Sequence, residues 1–278
     1  MNWKVGIYMK LGISTFAFPW SIGVGTLKPV EPMNIFKFLE KVSDLNLNLV
    51  QICDNLPLHE LDEKTREKVK KHANHLNISI EVGTRGLKKE KILRYIEIAN
   101  QLNSPILRIV IDEGRYAPRL KKIKNIINSV IKYLEQNNII LAIENHDRFK
   151  SDKLIEIITA TGNHPNVGIC LDTVNSFGAL EDPLTVLNKL APYTVNLHIK
   201  DIKIDRVETN MGFVVEGTPA GKGMLEIPYM INKLKNNNKK EINALLELWI
   251  PSEKDIETTI NKEQKWIEES IKYLKSQI

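Results

Sequence analysis

From Lys10 onward the chain alternates eight times between a short apolar run and a longer amphipathic stretch. The apolar runs occupy 10–15, 49–53, 78–82, 106–111, 139–144, 167–172, 195–200 and 242–248. They are rich in Ile, Val and Leu, as expected of parallel strands buried on both faces. The stretches between them carry helical stripes: Ile35, Phe38, Leu39 and Val42; Ile123, Ile126, Ile127, Val130 and Leu134; Ile260, Ile267, Ile271 and Leu274. Asp62 and Ser151 stand where N-caps belong. An open doubly wound sheet usually has a glycine-rich turn after its first strand. Here that position reads Ser14-Thr15-Phe16-Ala17-Phe18-Pro19. The pattern therefore predicts an α/β chain forming a single (β/α)₈ barrel, a fold that takes about 250 residues. The 278 residues accommodate one such domain over 1–278, with 1–8 as an N-terminal extension.

Composition narrows the function classes. No apolar stretch is long enough to span a bilayer, and the opening residues are too short and too broken by charge for a signal peptide. A cytoplasmic protein without a membrane partner is expected. The formal net charge is +5 and the isoelectric point about 8.9. The lysines are interleaved with glutamates, as in Lys64-Thr65-Arg66-Glu67-Lys68, which makes a solvated face, so no nucleic-acid partner is predicted. Cys53 and Cys170 both lie inside apolar runs and are expected to be buried, reduced thiols. Between His198 and Glu247 there is room for a helix and a long loop over 201–225. Its glycine content, and its place after a strand on the catalytic face, point to a functional or mobile segment.

Polar residues at the C-terminal ends of barrel strands carry the chemical information. Four successive runs end in Glu144, Asp172, His198 and Glu247. Side chains alternate across a strand, so inward-pointing ends would bring three carboxylates and an imidazole to one spot. Unpaired carboxylates gathered there would repel and suffer desolvation, and a divalent cation removes that cost. The oxygen-rich donor set with one imidazole suits Mn²⁺ first, with Mg²⁺, Co²⁺ or Zn²⁺ as alternatives. Cations also fall at or beyond strand ends: Arg85, Arg115, Arg148 and Lys200. Those that face inward would favour an anionic substrate. His146 and Asp147 follow Glu144 closely and are candidates for substrate contact, whereas His59, His72, His75 and His164 read as ordinary surface residues. Trp20 and Trp249 could form an aromatic wall.

The segments AIENHDRF (142–149), GICLDTVNSFGA (168–179), NLHIKD (196–201) and GTPAGKGMLEIP (217–228) resemble those of the xylose-isomerase-like barrels. That group includes sugar-phosphate isomerases, ketose 3-epimerases, inosose dehydratases and endonuclease IV. The resemblance runs from KLGIST at Lys10 to the last helix. It implies that Glu144, Asp172, His198 and Glu247 bind the metal and that Glu144 and Glu247 also serve as an acid/base pair. It further implies a small sugar-like substrate and a tendency to form homo-oligomers. Asn175 stands where multinuclear members and many ketose epimerases carry a histidine, and the strand end at Val82-Gly83-Thr84 supplies no ligand either. This departure implies a single metal ion and leaves Asn175, with His146, Arg115, Arg148 and Lys200, as the substrate-contact candidates.

Such a site would act through an enediolate, the metal as Lewis acid and a carboxylate as proton carrier. The first reading is an isomerase or epimerase of a sugar, sugar phosphate or sugar acid. The alternative is a decarboxylase of a 3-oxo sugar acid, because ENHDRF and LDTVNSFG resemble 3-oxo-isoapionate decarboxylase-like members. A non-catalytic sugar-binding barrel and an endonuclease IV-like nuclease rank below both.

Overall fold

A computed structural model describes residues 9–237 and 241–278. The proposed extension at 1–8 lies outside the described residues. The strands are β1 (Met9–Ser14), β2 (Leu49–Ile52), β3 (Ser79–Arg85), β4 (Ile106–Val110), β5 (Ile140–Glu144), β6 (Val167–Asp172), β7 (Thr194–Ile199), β8 (Asp201–Arg206), β9 (Phe213–Thr218) and β10 (Ile242–Leu246). Strands β1 to β7 and β10 close into one parallel barrel, β10 pairing with both β7 and β1. Every apolar run of the sequence is one of these staves. Among the described residues no helix is long and apolar enough to cross a membrane.

Strand parity explains how near-continuous apolar runs serve two environments. Leu141 and Ile143 of β5 join the large outer core against the helices. Ala142, one position out of phase, joins a small cluster with Ile106 and Cys170. Continuing that inward phase by two residues reaches Arg108 on β4, Glu144 on β5 and Asp172 on β6. The outer helices bury most of the predicted stripes, including Ile35, Phe38, Leu39 and Val42 at no more than 6% exposure, while Ile126 and Ile260 are part-buried. Asp62 caps its helix by accepting from the Thr65 amide. Ser151 does not cap: it is the first residue of the helix Ser151–Thr159, and Glu181 accepts from its amide and its hydroxyl. The cap is supplied from the next β/α unit, which local sequence cannot show.

The long connection after β7 differs from its expected form. Residues 201–225 contain an antiparallel hairpin, β8 against β9, before the glycine-rich turn. Alternation of Ile202 and Ile204 with Lys203 and Asp205 gives the period-two signal that glycine content overshadowed. Asp201 organises the turn. Its carboxylate, 2% exposed, accepts backbone N–H groups from Ile202 (2.9 Å), Gly221 (2.9 Å), Gly223 (3.0 Å) and Leu225 (3.2 Å). Gly217 lets β9 press against the barrel, since a Cβ there would lie 1.9 Å from the Trp249 carbonyl oxygen. The hairpin is thus pinned at its base over the mouth of the barrel.

Asp201→Ala leaves those four amides without their acceptor, at a cost of about 2–3 kcal/mol. A circular-dichroism melt is expected to fall by about 4–10 °C. An unchanged midpoint would mean that solvent replaces the carboxylate.

Candidate metal centre

Glu144, Asp172, His198 and Glu247 converge, each no more than 2% exposed. The His198 Nδ1 atom lies 3.3 Å from Glu144 Oε2 and 3.2 Å from Glu247 Oε1. Asp172, His198 and Glu247 offer donor atoms within 4.8 Å of one another, as do Glu144, Cys170 and His198, so His198 is common to both groups. Cys170 is not a candidate from sequence; burial pushes its thiol pKa up, which makes it a poor thiolate donor.

The donor chemistry fits a divalent cation. His198 Nε2 is 2.8 Å from Gln51 Oε1, which leaves Nδ1 facing the carboxylates. Nδ1 and Glu247 Oε1 are both buried without a hydrogen-bond partner among the described residues, although they face each other. An imidazole nitrogen and a carboxylate oxygen left unpaired in the interior, converging with further carboxylates, form a set that a divalent ion would satisfy.

Two buried cations already hold part of the negative charge. Arg108 Nε donates to Glu144 Oε2, and its Nη1 donates to Asp54 Oδ1 at 3.0 Å. Lys200 Nζ lies 2.6 Å from Asp172 Oδ2 and 2.8 Å from Glu247 Oε2. Burial alone would raise the Glu144 pKa, but Arg108, His198 and Lys200 outweigh it and hold the carboxyl well below the usual range. Glu247 is lowered in the same way, with His198 and Lys200 overcoming its burial. Burial would lower the Lys200 pKa, yet Asp172 and Glu247 keep it above the ordinary lysine value. Asp172 Oδ1 accepts from the amides of Val174 and Asn175, both at 2.8 Å. Asn175 Nδ2 in turn donates to Glu144 Oε1 at 2.7 Å.

This floor opens into a cavity of about 650 Å³. Asn175, Lys200, His146, Asp147, Trp20 and Trp249 all line it. Trp20 sits on the short helix Pro19–Ile22, whose Trp20 and Ser21 amides donate to Glu263 of the last helix. The other wall is the hairpin strand β9, through Val214, Val215 and Glu216. Cations and aromatic walls therefore occur together.

Two sequence candidates are not brought here. Arg148 forks onto Asp112, with Nε to Oδ2 at 2.7 Å, and lies over the Phe149 ring, so it clamps the loop after β4. Arg115 is exposed in that same loop, between the paired residues Glu113 and Tyr116. Strand-end position alone cannot tell a pocket cation from a loop clamp. The missed residue is Arg108, 2% exposed and lining the cavity. Its signal was available: a lone charge in the middle of Ile106-Leu107-Arg108-Ile109-Val110. Arg85 does line the cavity, paired with Asp54 at 2.7 Å.

The family model described as "Xylose isomerase-like TIM barrel" matches residues 9–277. The 3-oxo-isoapionate decarboxylase of Pectobacterium atrosepticum is 31% identical over 96% of this chain and 95% of its own. Among solved structures, D-psicose 3-epimerase with D-tagatose from Clostridium cellulolyticum H10 superposes with a TM-score of 0.70 at 14% identity, covering 97% of this chain and 98% of that one. A xylose isomerase-like TIM barrel protein from Mycobacterium smegmatis in complex with magnesium gives 0.69 at 12% identity, covering 95% and 97%. At such identities these two structures speak for the fold alone. The family model and the decarboxylase together make the assignment: the chain belongs to the xylose isomerase-like TIM barrel family.

Proposed function

We propose that this protein is a divalent-metal-dependent enzyme acting on a small, anionic, sugar-derived substrate, and that its reaction is decarboxylation of a 3-oxo sugar acid. The observation that carries the metal is the pair of buried atoms without a hydrogen-bond partner among the described residues, His198 Nδ1 and Glu247 Oε1, 3.2 Å apart just beneath the cavity that Glu247 lines. Glu144, Asp172, His198 and Glu247 would hold one ion. The ion would supply Lewis acidity to a carbonyl and its neighbouring oxygen, stabilising the charge left when a bond beside that carbonyl breaks.

The choice between reactions rests on Glu144. Both of its oxygens are engaged, one by Arg108 and the other by Asn175. A group held at both oxygens is a poor proton shuttle, whereas epimerisation through an acid/base pair needs a proton carrier on each face of the substrate. Decarboxylation needs a place for the electron pair of the broken C–C bond and one proton to replace CO₂. Lys200 offers fixed positive charge beside the floor. Glu247, held ionised by His198 and Lys200, would orient the water that returns the proton. Charge supports an acid as substrate: Glu144, Asp172, Glu247 and Asp54 face Arg108, Lys200 and Arg85, so a divalent ion would leave a surplus of positive charge. The 31% identity to 3-oxo-isoapionate decarboxylase supports the same reading. Isomerisation or epimerisation of a ketose is the second reading, favoured by Glu247 standing ionised as a ready base.

Purified protein supplied with Mn²⁺ and 3-oxo-isoapionate is expected to release CO₂. A chelator should abolish the release and added Mn²⁺ restore it. Epimerisation of D-tagatose without CO₂ release would overturn the choice of reaction, and full activity in chelator would overturn the metal. Glu247→Gln conserves shape in a buried setting, so the melting curve should stay close to wild type while turnover falls by about 10²–10⁴-fold. Wild-type turnover in that variant would contradict the role given to Glu247.

A further inference from the structure

A layer of the barrel interior beneath the floor is polar where such layers are ordinarily filled by Val, Ile and Leu. It contains Gln51 on β2, Glu81 on β3, Asn196 on β7 and Asn243 at the start of β10; all but Asn243 are at most 1% exposed. Asn196 lies two residues before His198 on the same strand and therefore on the same face. Glu81 is the acceptor at the centre. Its Oε2 accepts from Gln51 Nε2 (3.1 Å) and Asn196 Nδ2 (2.8 Å), and its Oε1 accepts from Asn243 Nδ2. Gln51 Nε2 also reaches Asn196 Oδ1 at 3.2 Å. Burial pushes the Glu81 pKa up, and the three amide donors work against that rise.

The direction of these bonds has a consequence for His198. Among the described residues every neighbour bonded to Glu81 is an amide NH₂, so the Gln51 amide must turn its nitrogen towards Glu81. Its oxygen then faces His198 Nε2, 2.8 Å away. A carbonyl oxygen can only accept, so Nε2 must carry the hydrogen, and in a neutral ring the lone pair falls on Nδ1. Nδ1 is the atom that faces Glu144 and Glu247.

We propose that Glu81 is a positioning residue which, through the Gln51 amide, fixes His198 as the Nε2–H tautomer and so presents Nδ1 as the metal-binding atom. The proposal rests on the metal-centre reading; in the metal-free protein burial lowers the His198 pKa but Glu247 and Glu144 outweigh it and favour the charged ring, so the tautomer is defined where the ring is neutral. The glutamine inserted between carboxylate and imidazole relays polarity while keeping the charge of Glu81 away from the cavity. Partners of this kind change metal affinity by about 10–100-fold when removed.

The test uses full-length protein labelled with ¹⁵N-histidine, read by imidazole NMR in the metal-free state at a pH where its own titration shows His198 neutral. Zn²⁺ affinity is measured alongside by competition with a chromophoric chelator. Wild type should show hydrogen on Nε2 only. Glu81→Gln frees the Gln51 amide to flip, and is expected to give mixed tautomers and Zn²⁺ binding weaker by about 10–100-fold. Adding Gln51→Glu moves the carboxylate next to His198 at constant charge, and should restore both the tautomer and most of the affinity. Nδ1–H in wild type would overturn the proposal whether or not any variant folds. So would a folded Glu81→Gln protein with wild-type tautomer and affinity, or a folded double variant with no recovery. Wild type with the Nε2–H ring but no Zn²⁺ binding would instead overturn the metal-centre reading and leave the relay standing.

Discussion

Mutual repulsion of Glu144, Asp172 and Glu247 inside a closed barrel is the constraint around which the rest of the centre is arranged. Three carboxylates almost without solvent exposure cannot stay ionised side by side unless opposite charge is brought among them. The protein supplies that charge from two strands, Arg108 on β4 and Lys200 just beyond β7, and an ion held at His198 would complete it. Each cation also divides the work. Arg108 ties up Glu144, while Lys200 leaves Glu247 Oε1 without a hydrogen bond among the described residues.

Support for this centre comes from below and from above. The polar layer of Gln51, Glu81 and Asn196 replaces ordinary barrel filling, and buried polar side chains are tolerable there because their hydrogen bonds close on one another. Above the floor, the mouth is shaped by segments that are not staves. Asp201 gathers the glycine-rich turn around its carboxylate directly after Lys200, so adjacent residues serve opposite ends: one reaches into the cavity and the other anchors its wall. Glu263 does similar work for the Trp20 helix by accepting its first amides.

How much of this the sequence reveals depends on the range of the physics involved. The staves are legible because apolar period and length are local properties, and the convergence of Glu144, Asp172, His198 and Glu247 is legible because each ends a strand. Parity then carries those ends inward. What was hidden depends on contacts between distant segments. Arg148 and Arg115 have strand-end positions as suitable as that of Lys200, but Asp112 draws Arg148 aside and Arg115 stays in an exposed turn. Arg108 stands in a strand middle rather than at an end, where a charge inside an apolar run is costly unless it is paired, as it is here by Glu144 and Asp54. The hairpin hid behind glycines whose purpose, close approach to Trp249 and Asp201, appears only in three dimensions.

The central claim is that one ion sits among Glu144, Asp172, His198 and Glu247. Crystals grown with Mn²⁺ and measured at a wavelength where manganese scatters anomalously locate the ion directly. The account predicts a single strong anomalous peak per chain on the barrel floor, within coordination distance of His198 Nδ1 and Glu247 Oε1. No peak there at saturating Mn²⁺, or one bound through His198 Nε2, would contradict it.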